Sequence, residues 1–231
     1  MKTSNKILLS FFFFIFGGII LLYLGSKYHK DYYDTSNFAD QKTLLSPFSV
    51  IVAEPGANFY LKSGKENKVI QTYRKDTFAD FSVFVVRNDT LFVSPVKQLK
   101  AKEGDYRVVP EIFCVNLKSM IAKENSYVRL VKFKADTLSV IMNKSNLDWR
   151  FDNIKHLSIQ AKDSDIYLEG EKLEKLVVKL DKTKLNTPVK KRIENLSGTL
   201  KNNSDCTFYL SNKIILDVDK TSNYNFYNLL Y

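Results

Sequence analysis

Asp163, Ser164 and Asp165 stand together in one polar stretch, and Asp181 follows in the next. Two carboxylates facing one groove are the groups that cleave glycosidic bonds, one giving a proton while the other attacks or activates water. Asp163 and Asp181 are therefore the residues at which a carbohydrate-active site is looked for first. Their counterparts in the preceding stretch are Lys144 and Asn146, and in the following one Asn202 and Asn203. Carboxylates set among lysines and amides in this way read as turn aspartates that accept backbone hydrogen bonds.

Other chemistries find less. The histidines are His29 and His156, and no nucleophile motif accompanies either. No spacing of His, Cys and carboxylates suits a metal, and none of the 8 glycines builds a phosphate loop. The sequence thus predicts no catalytic, cofactor-binding or metal-ligating residues and no enzyme; it names no binding residue and no ligand. Lys and Arg total 35 against 25 acidic residues, for a net charge of +10. The lysines are dispersed (Lys62, Lys97, Lys132, Lys162, Lys179) and no arginine stripe interleaves with stacking aromatics, so no nucleic-acid partner is expected. The basic excess fits a solvated surface or attraction to an anionic envelope polymer.

The elements that would hold these residues are strands. Leu117, Leu138, Leu157, Leu176, Leu196 and Leu216 recur every 19 to 21 residues, and each opens an alternating segment. The inward triplets include Leu138-Val140-Met142, Leu157-Ile159-Ala161, Leu176-Val178-Leu180, Leu196-Gly198-Leu200 and Leu216-Val218-Lys220. A polar turn with a small hydroxyl follows, at Ser145, Ser164, Thr183, Ser204 and Thr221 or Ser222. A second alternating strand then carries Leu147-Trp149-Phe151, Ile166-Leu168, Leu185 with Val189, Cys206-Phe208-Leu210 and Tyr224-Phe226, with Ile154, Leu173 and Ile193 as a third inward position. Repeats this short bury their apolar face only by stacking. The fold class is all-β, a single-stranded parallel β-helix or β-solenoid, right-handed by the usual crossover preference. A β-sandwich would call for Asn-Gly hairpins, which this half lacks.

Cys114 precedes the first of these rungs and Cys206 falls in the fifth, roughly 19 Å apart along a stack of strands. No disulfide is expected between them. The outward positions of the second strands hold Arg150, Tyr167, Glu169, Thr207, Tyr209, Asn225 and Tyr227. Such a surface suits a glycan or a protein loop, and equally ordinary solvent-facing strands. The last stretch, Tyr224 to Tyr231, is apolar and is expected to cover the end of the stack or, failing that, to dock a partner.

Upstream, short strands alternate with turns from Phe48 to Val93, forming an N-terminal β region. The chain opens with an uncharged run from Ile7 to Leu24 that reaches Ser26, about the length needed to cross ~30 Å of hydrocarbon. The expected organisation is a cytoplasmic tail over 1–6, one transmembrane anchor over 7–26, a tether over 27–46 and the β-solenoid domain over 47–231. Lys2 and Lys6 favour an inside N-terminus. The domain is then extracytoplasmic, in the periplasm or on the cell surface, or secreted if the segment is cleaved.

Several motifs in order resemble the head GIN domain family, adhesin-like proteins of Bacteroidetes. Phe48-Ser49-Val50-Ile51-Val52, Asn58 to Gly64 and Asn88-Asp89-Thr90-Leu91-Phe92-Val93 look like its opening strands. Val108-Val109-Pro110-Glu111-Ile112 and Leu117-Lys118-Ser119-Met120-Ile121 look like its next two elements. The turns depart from the family's Gly and Ser, being rich in Asn, Lys and Asp. The resemblance implies a parallel β-helix in an extracytoplasmic setting and little about activity. The functional expectation is a non-catalytic, membrane-anchored envelope protein whose solenoid surface binds, adheres or supports. A carbohydrate-active enzyme and a basic domain for anionic polymers are the rivals.

Overall fold

The computed structural model describes residues 3–29, 38–75, 83–95, 109–170, 172–187 and 192–227. Its first unit is the helix α1, Thr3–His29, whose Leu9–Ser26 stretch is long and apolar enough to cross a membrane. The helix runs on through Lys27 to His29, residues read above as the start of a tether.

The second unit is a β-solenoid. Its strands are β1 (Phe38–Leu44), β2 (Val50–Ala53), β3 (Asn58–Ser63), β4 (Lys68–Arg74), β5 (Phe84–Arg87), β6 (Thr90–Val93), β7 (Glu111–Cys114) and β8 (Ser119–Ala122). These are followed by β9 (Tyr127–Asn143), β10 (Asn146–Lys162), β11 (Asp165–Gly170), β12 (Lys172–Asp181), β13 (Lys184–Asn186), β14 (Arg192–Lys201), β15 (Asp205–Val218) and β16 (Asn223–Tyr227). The last part of the presumed tether is thus strand, since β1 pairs with β4.

Two parallel walls result. The first runs β6, β2, β8, the later half of β9, the later half of β10, β12, β14 and the end of β15. The second runs β7, β3, the starts of β9 and β10, then β11, β13, the start of β15 and β16. The leucine period is the register itself: Leu138, Leu157, Leu176 and Leu196 are successive partners, each no more than 1% exposed. Val140, Ile159 and Val178 form the adjoining inward column. In the second wall Val128, Leu147, Ile166, Leu185 and Cys206 stack. Ile154, Leu173 and Ile193 stack between the walls' strands, as their spacing implied. Burying a leucine in such a column stabilises by about 2–3 kcal/mol, which no single repeat could collect alone.

Two rungs begin elsewhere than the leucine period suggests. Ile214, not Leu216, pairs with Leu196, because the offset between partners falls from 21 residues at Asn186–Thr207 to 17 at Ile193–Leu210, and the register shift before Asn195 restores only one. Leu216 instead faces Gly198, and Val218 faces Leu200. At the other limit, Met120 and Ala122 align with Val140 and Met142, while Leu117 is buried just ahead of its strand.

The N-terminal β region belongs to the same stack but out of sequence order. Strands β2 and β3 are laid down first, yet β2 lies between β6 and β8, and β3 between β7 and β9. The chain leaves this rung, builds the one before it, then crosses back through β8. At the outer limit β4 lies antiparallel on β7, and β5 antiparallel on β6.

Candidate functional site

The turn edge decides the carboxylate question. Each turn places a left-handed residue before a buried hydroxyl: Asn125 (φ 57°) before Ser126, Lys144 (47°) before Ser145, Asp163 (48°) before Ser164, Lys182 (47°) before Thr183 and Asn203 (64°) before Ser204. Asp163 is thus in the turn, whereas Asp181 ends β12 and pairs in register with Lys162 and Lys201. The two carboxylates are one position out of step and do not stack, correcting the alignment drawn from spacing. Asp181 accepts from the Asn202 side-chain amide at 2.8 Å, and the Asp163 N–H donates to the Asp181 carbonyl at 2.9 Å. Asp163 lies in the turn as read, while the Asp181 carboxylate takes a side-chain amide of the next turn rather than a backbone N–H. Asp219 carries this role furthest: it accepts the N–H groups of Asn202 (2.7 Å), Thr221 (3.0 Å) and Ser222 (2.9 Å). Those donors, Asn202 foremost, hold its carboxyl well below the usual range.

His156 is exposed between Thr137 and Lys175 in register. Cys114 and Cys206 are free and buried, and burial pushes each thiol up to about 12, with Asp205 adding to the effect at Cys206. The insertion of β3 beyond β9 puts six strand steps between them rather than four, or about 29 Å. Among the described residues no group of three His, Cys, Asp or Glu could hold a metal.

The second wall's outer face is the richest polar surface. One outward row runs Glu111, Tyr60, Arg129, Asp148, Tyr167, Asn186, Thr207, Asn225 along consecutive strands. Beside it lie Lys62, Arg150, Glu169, Tyr209 and Tyr227. The row has two characters. Its first part is charged and internally matched. Arg129 Nε lies 2.8 Å from Asp148 Oδ2, and its terminal nitrogens donate to Tyr60 (3.2 Å) and Tyr127 (2.6 Å). Its guanidinium carbon sits 5.4 Å from both ring centres, and the Tyr127 bond leads the effects that raise its pKa. Lys62 pairs with Glu111 at 2.5 Å, and Arg150 approaches Glu169 at 3.5 Å. Six charges here cancel in pairs.

The later part of the row is uncharged, at Tyr167, Asn186, Thr207 and Asn225, with Tyr209 and Tyr227 on one side of it and the exposed Asp165, Lys184 and Asp205 on the other. The Tyr209 and Tyr227 rings stack at 5.0 Å and 20°. The outward residues expected here (Arg150, Tyr167, Glu169, Thr207, Tyr209, Asn225, Tyr227) do share this face. The matched cluster around Arg129 was not foreseen, because its members come from β3, β9 and β10, brought together by the out-of-order rung.

No family model matches the chain, and no curated protein does. Among solved structures it is similar to a "putative adhesin" from Bacteroides fragilis NCTC 9343, at 15% identity and TM-score 0.57, over 83% of this chain and 97% of that one. A "putative adhesin" from Parabacteroides merdae ATCC 43184 is 13% identical, with TM-score 0.41, over 84% and 97%. A "putative lipid binding protein" from Parabacteroides distasonis ATCC 8503 is 14% identical, with TM-score 0.44, over 83% and 94%. At 15% identity the Bacteroides fragilis likeness is one of fold. The chain is a β-solenoid with one apolar N-terminal helix.

Proposed function

We propose that the chain is a non-catalytic envelope protein of the head GIN domain kind, anchored through residues 7–26 with residues 1–6 in the cytoplasm. Residues 47–231 then lie outside, and the uncharged part of the second wall's outer face binds a neutral glycan. The stacked Tyr209 and Tyr227 beside the row of Tyr167, Asn186, Thr207 and Asn225 carry this reading. Aromatic faces cover sugar rings while amides and hydroxyls bond their hydroxyl groups. Binding of an anionic polymer on this face is disfavoured, since Lys62, Arg129 and Arg150 already have carboxylate partners. The two carboxylates give no support to the hydrolase reading, since they stand one position out of step and Asp181 already accepts from the Asn202 amide.

The test is calorimetry of the full chain in detergent against neutral hexose oligosaccharides, with an anionic polysaccharide alongside. Neutral binding weakened roughly tenfold by Tyr209→Ala or Tyr227→Ala, or about 1.4 kcal/mol, is the expected result. It should persist between about 50 and 300 mM salt, because a neutral ligand offers no charge to screen. Binding to the anionic polymer alone, lost over that range, would sink the glycan reading. Alkaline carbonate extraction tests the anchor: release into the soluble fraction would contradict it.

A further inference from the structure

The two limits of the solenoid are finished differently. Where the stack begins, antiparallel β4 and β5 lie on β7 and β6, with charged groups such as Lys42, Glu66 and Lys68 linked in ion pairs near the edge. At the other limit, among the described residues, the end of β15 and all of β16 are each paired on one side only. Ile214, Leu216 and Val218 continue the inward columns of Leu196, Gly198 and Leu200, while Tyr224 and Phe226 continue those of Cys206 and Phe208. Yet Ile214 is 42% and Tyr224 47% exposed, where Leu196 and Cys206 are 1% and 0%. Leu216, Val218 and Phe226 are only partly buried, so the apolar columns end half-open to solvent. Strand β16 reads Asn-Tyr-Asn-Phe-Tyr, without the charge, proline or bulge that keeps an edge from pairing.

The edge residues indicate which strand fits. Lys213, Ile215 and Asp217 alternate with the inward residues and so face outward. If the edge pairs antiparallel with its own copy about Ile215, Lys213 falls opposite Asp217 of the partner subunit, and the reverse pair forms by symmetry. The same register sets Ile214 opposite Leu216 of the partner subunit. Strand β16 is self-matching about Asn225, which brings Tyr224 opposite Phe226 of the partner subunit. Ile215 lies three residues before the end of β15 and Asn225 two after the start of β16, so one two-fold axis across both walls passes close to both. Opposite charges across such a pair favour it and like charges oppose it.

We propose that two copies of this chain associate end to end through β15 and β16, each edge pairing antiparallel with its counterpart and Lys213–Asp217 ion pairs fixing the register. The contact closes both exposed cores and joins the two Tyr209–Tyr227 faces into one longer surface. It is independent of what that surface binds.

Sedimentation velocity of the full chain in detergent, over a concentration series, tests this. The wild type should dimerise. Lys213→Asp and Asp217→Lys, each made singly, place like charges opposite and should weaken dimerisation roughly tenfold or more. Combining the two changes should restore it, and thermal melts should show all three variants folded. A wild type that stays monomeric overturns the proposal. So does a dimer that the single changes leave untouched, which would put the contact elsewhere, α1 included. If residues 228–231 covered this end instead, a chain ending at Tyr227 would dimerise while the full chain did not; that result overturns it too.

Discussion

Ser145 and Ser164 are tied across one rung. The Ser145 backbone N–H donates to Ser164 Oγ at 3.3 Å, and that hydroxyl donates in turn to the Lys162 carbonyl at 2.7 Å. Thr183 and Ser204 repeat the arrangement, with 3.3 Å across the rung and 2.7 Å from Ser204 Oγ to the Lys201 carbonyl. The hydroxyl column thus satisfies turn backbone that the stack buries.

Removing one hydroxyl should therefore cost more than its own bond. Ser164→Ala leaves the buried Ser145 N–H without its partner, while the Lys162 carbonyl keeps the Lys144 N–H, and should destabilise by about 1–3 kcal/mol. Ser164→Thr should cost less than about 1 kcal/mol, because Thr183 already fills the equivalent place. Urea denaturation followed by circular dichroism compares the two; equal losses would show that packing, not bonding, sets the requirement.

The turn residue before each hydroxyl makes the opposite kind of prediction. Lys182 holds φ at 47°, a left-handed conformation that costs a residue with a Cβ about 1–2 kcal/mol. Lys182→Gly should stabilise the folded state by about 0.5–1 kcal/mol, net of glycine's greater freedom in the unfolded chain. A rise in the urea midpoint checks it. A fall would mean that the lysine stem contributes more than its backbone strain removes.

Gly198 is an inward position where a side chain has no room. Its φ is +146°, and a Cβ there would lie 1.8 Å from the Val178 carbonyl oxygen of the neighbouring strand. Gly198→Ala must push two paired backbones apart, and should cost at least about 3 kcal/mol or prevent folding. Ser197→Ala, on the outward side of the same strand, should stay within about 1 kcal/mol. Near-wild-type behaviour of the Gly198 variant would mean that the strand relaxes away from Val178.

The repeat was readable because its chemistry is local: leucine, a polar turn, a hydroxyl and an aliphatic strand recur at one spacing, and register follows from spacing. What escaped the reading depends on contacts remote in sequence. Nothing in Asn58 to Ser63 says that it will lie between Glu111–Cys114 and Tyr127–Leu130, so the Tyr60–Arg129–Asp148 cluster was invisible. The shifted last rung was hidden for a related reason, since Leu216 keeps the leucine period while the shorter passage from Thr207 to Leu210 moves its partner. Asp163 and Asp181 misled by spacing alone: one residue of offset separates turn from strand. The uncharged tyrosine row could be listed from alternation, but the pairing of the charges beside it needed side-chain positions.

Asp219 gives the solenoid a pH dependence with a definite sign. Its carboxylate bridges two turns, taking the Asn202 N–H from one and the Thr221 and Ser222 N–H groups from its own. Its folded pKa is lowered from the ordinary 3.8, so the charged form is the one the fold favours. Such a group stabilises above the unfolded value, and its contribution is lost as pH falls through the folded one. Asp219→Ala should therefore melt below wild type at pH 7 and still at pH 5, and the gap should narrow below about pH 4 as the unfolded wild-type chain takes up a proton there that the folded one accepts only at lower pH. Hydrogen exchange localises the effect: the amides of Asn202, Thr221 and Ser222 should exchange faster in the variant at neutral pH. Those of Lys144 and Asp163, bonded to the carbonyls of Lys162 and Asp181, should not change. A melting gap that stayed constant into acid would assign the loss to packing, and uniform acceleration of exchange would mean that the turn bridge supports the whole stack rather than its last rung.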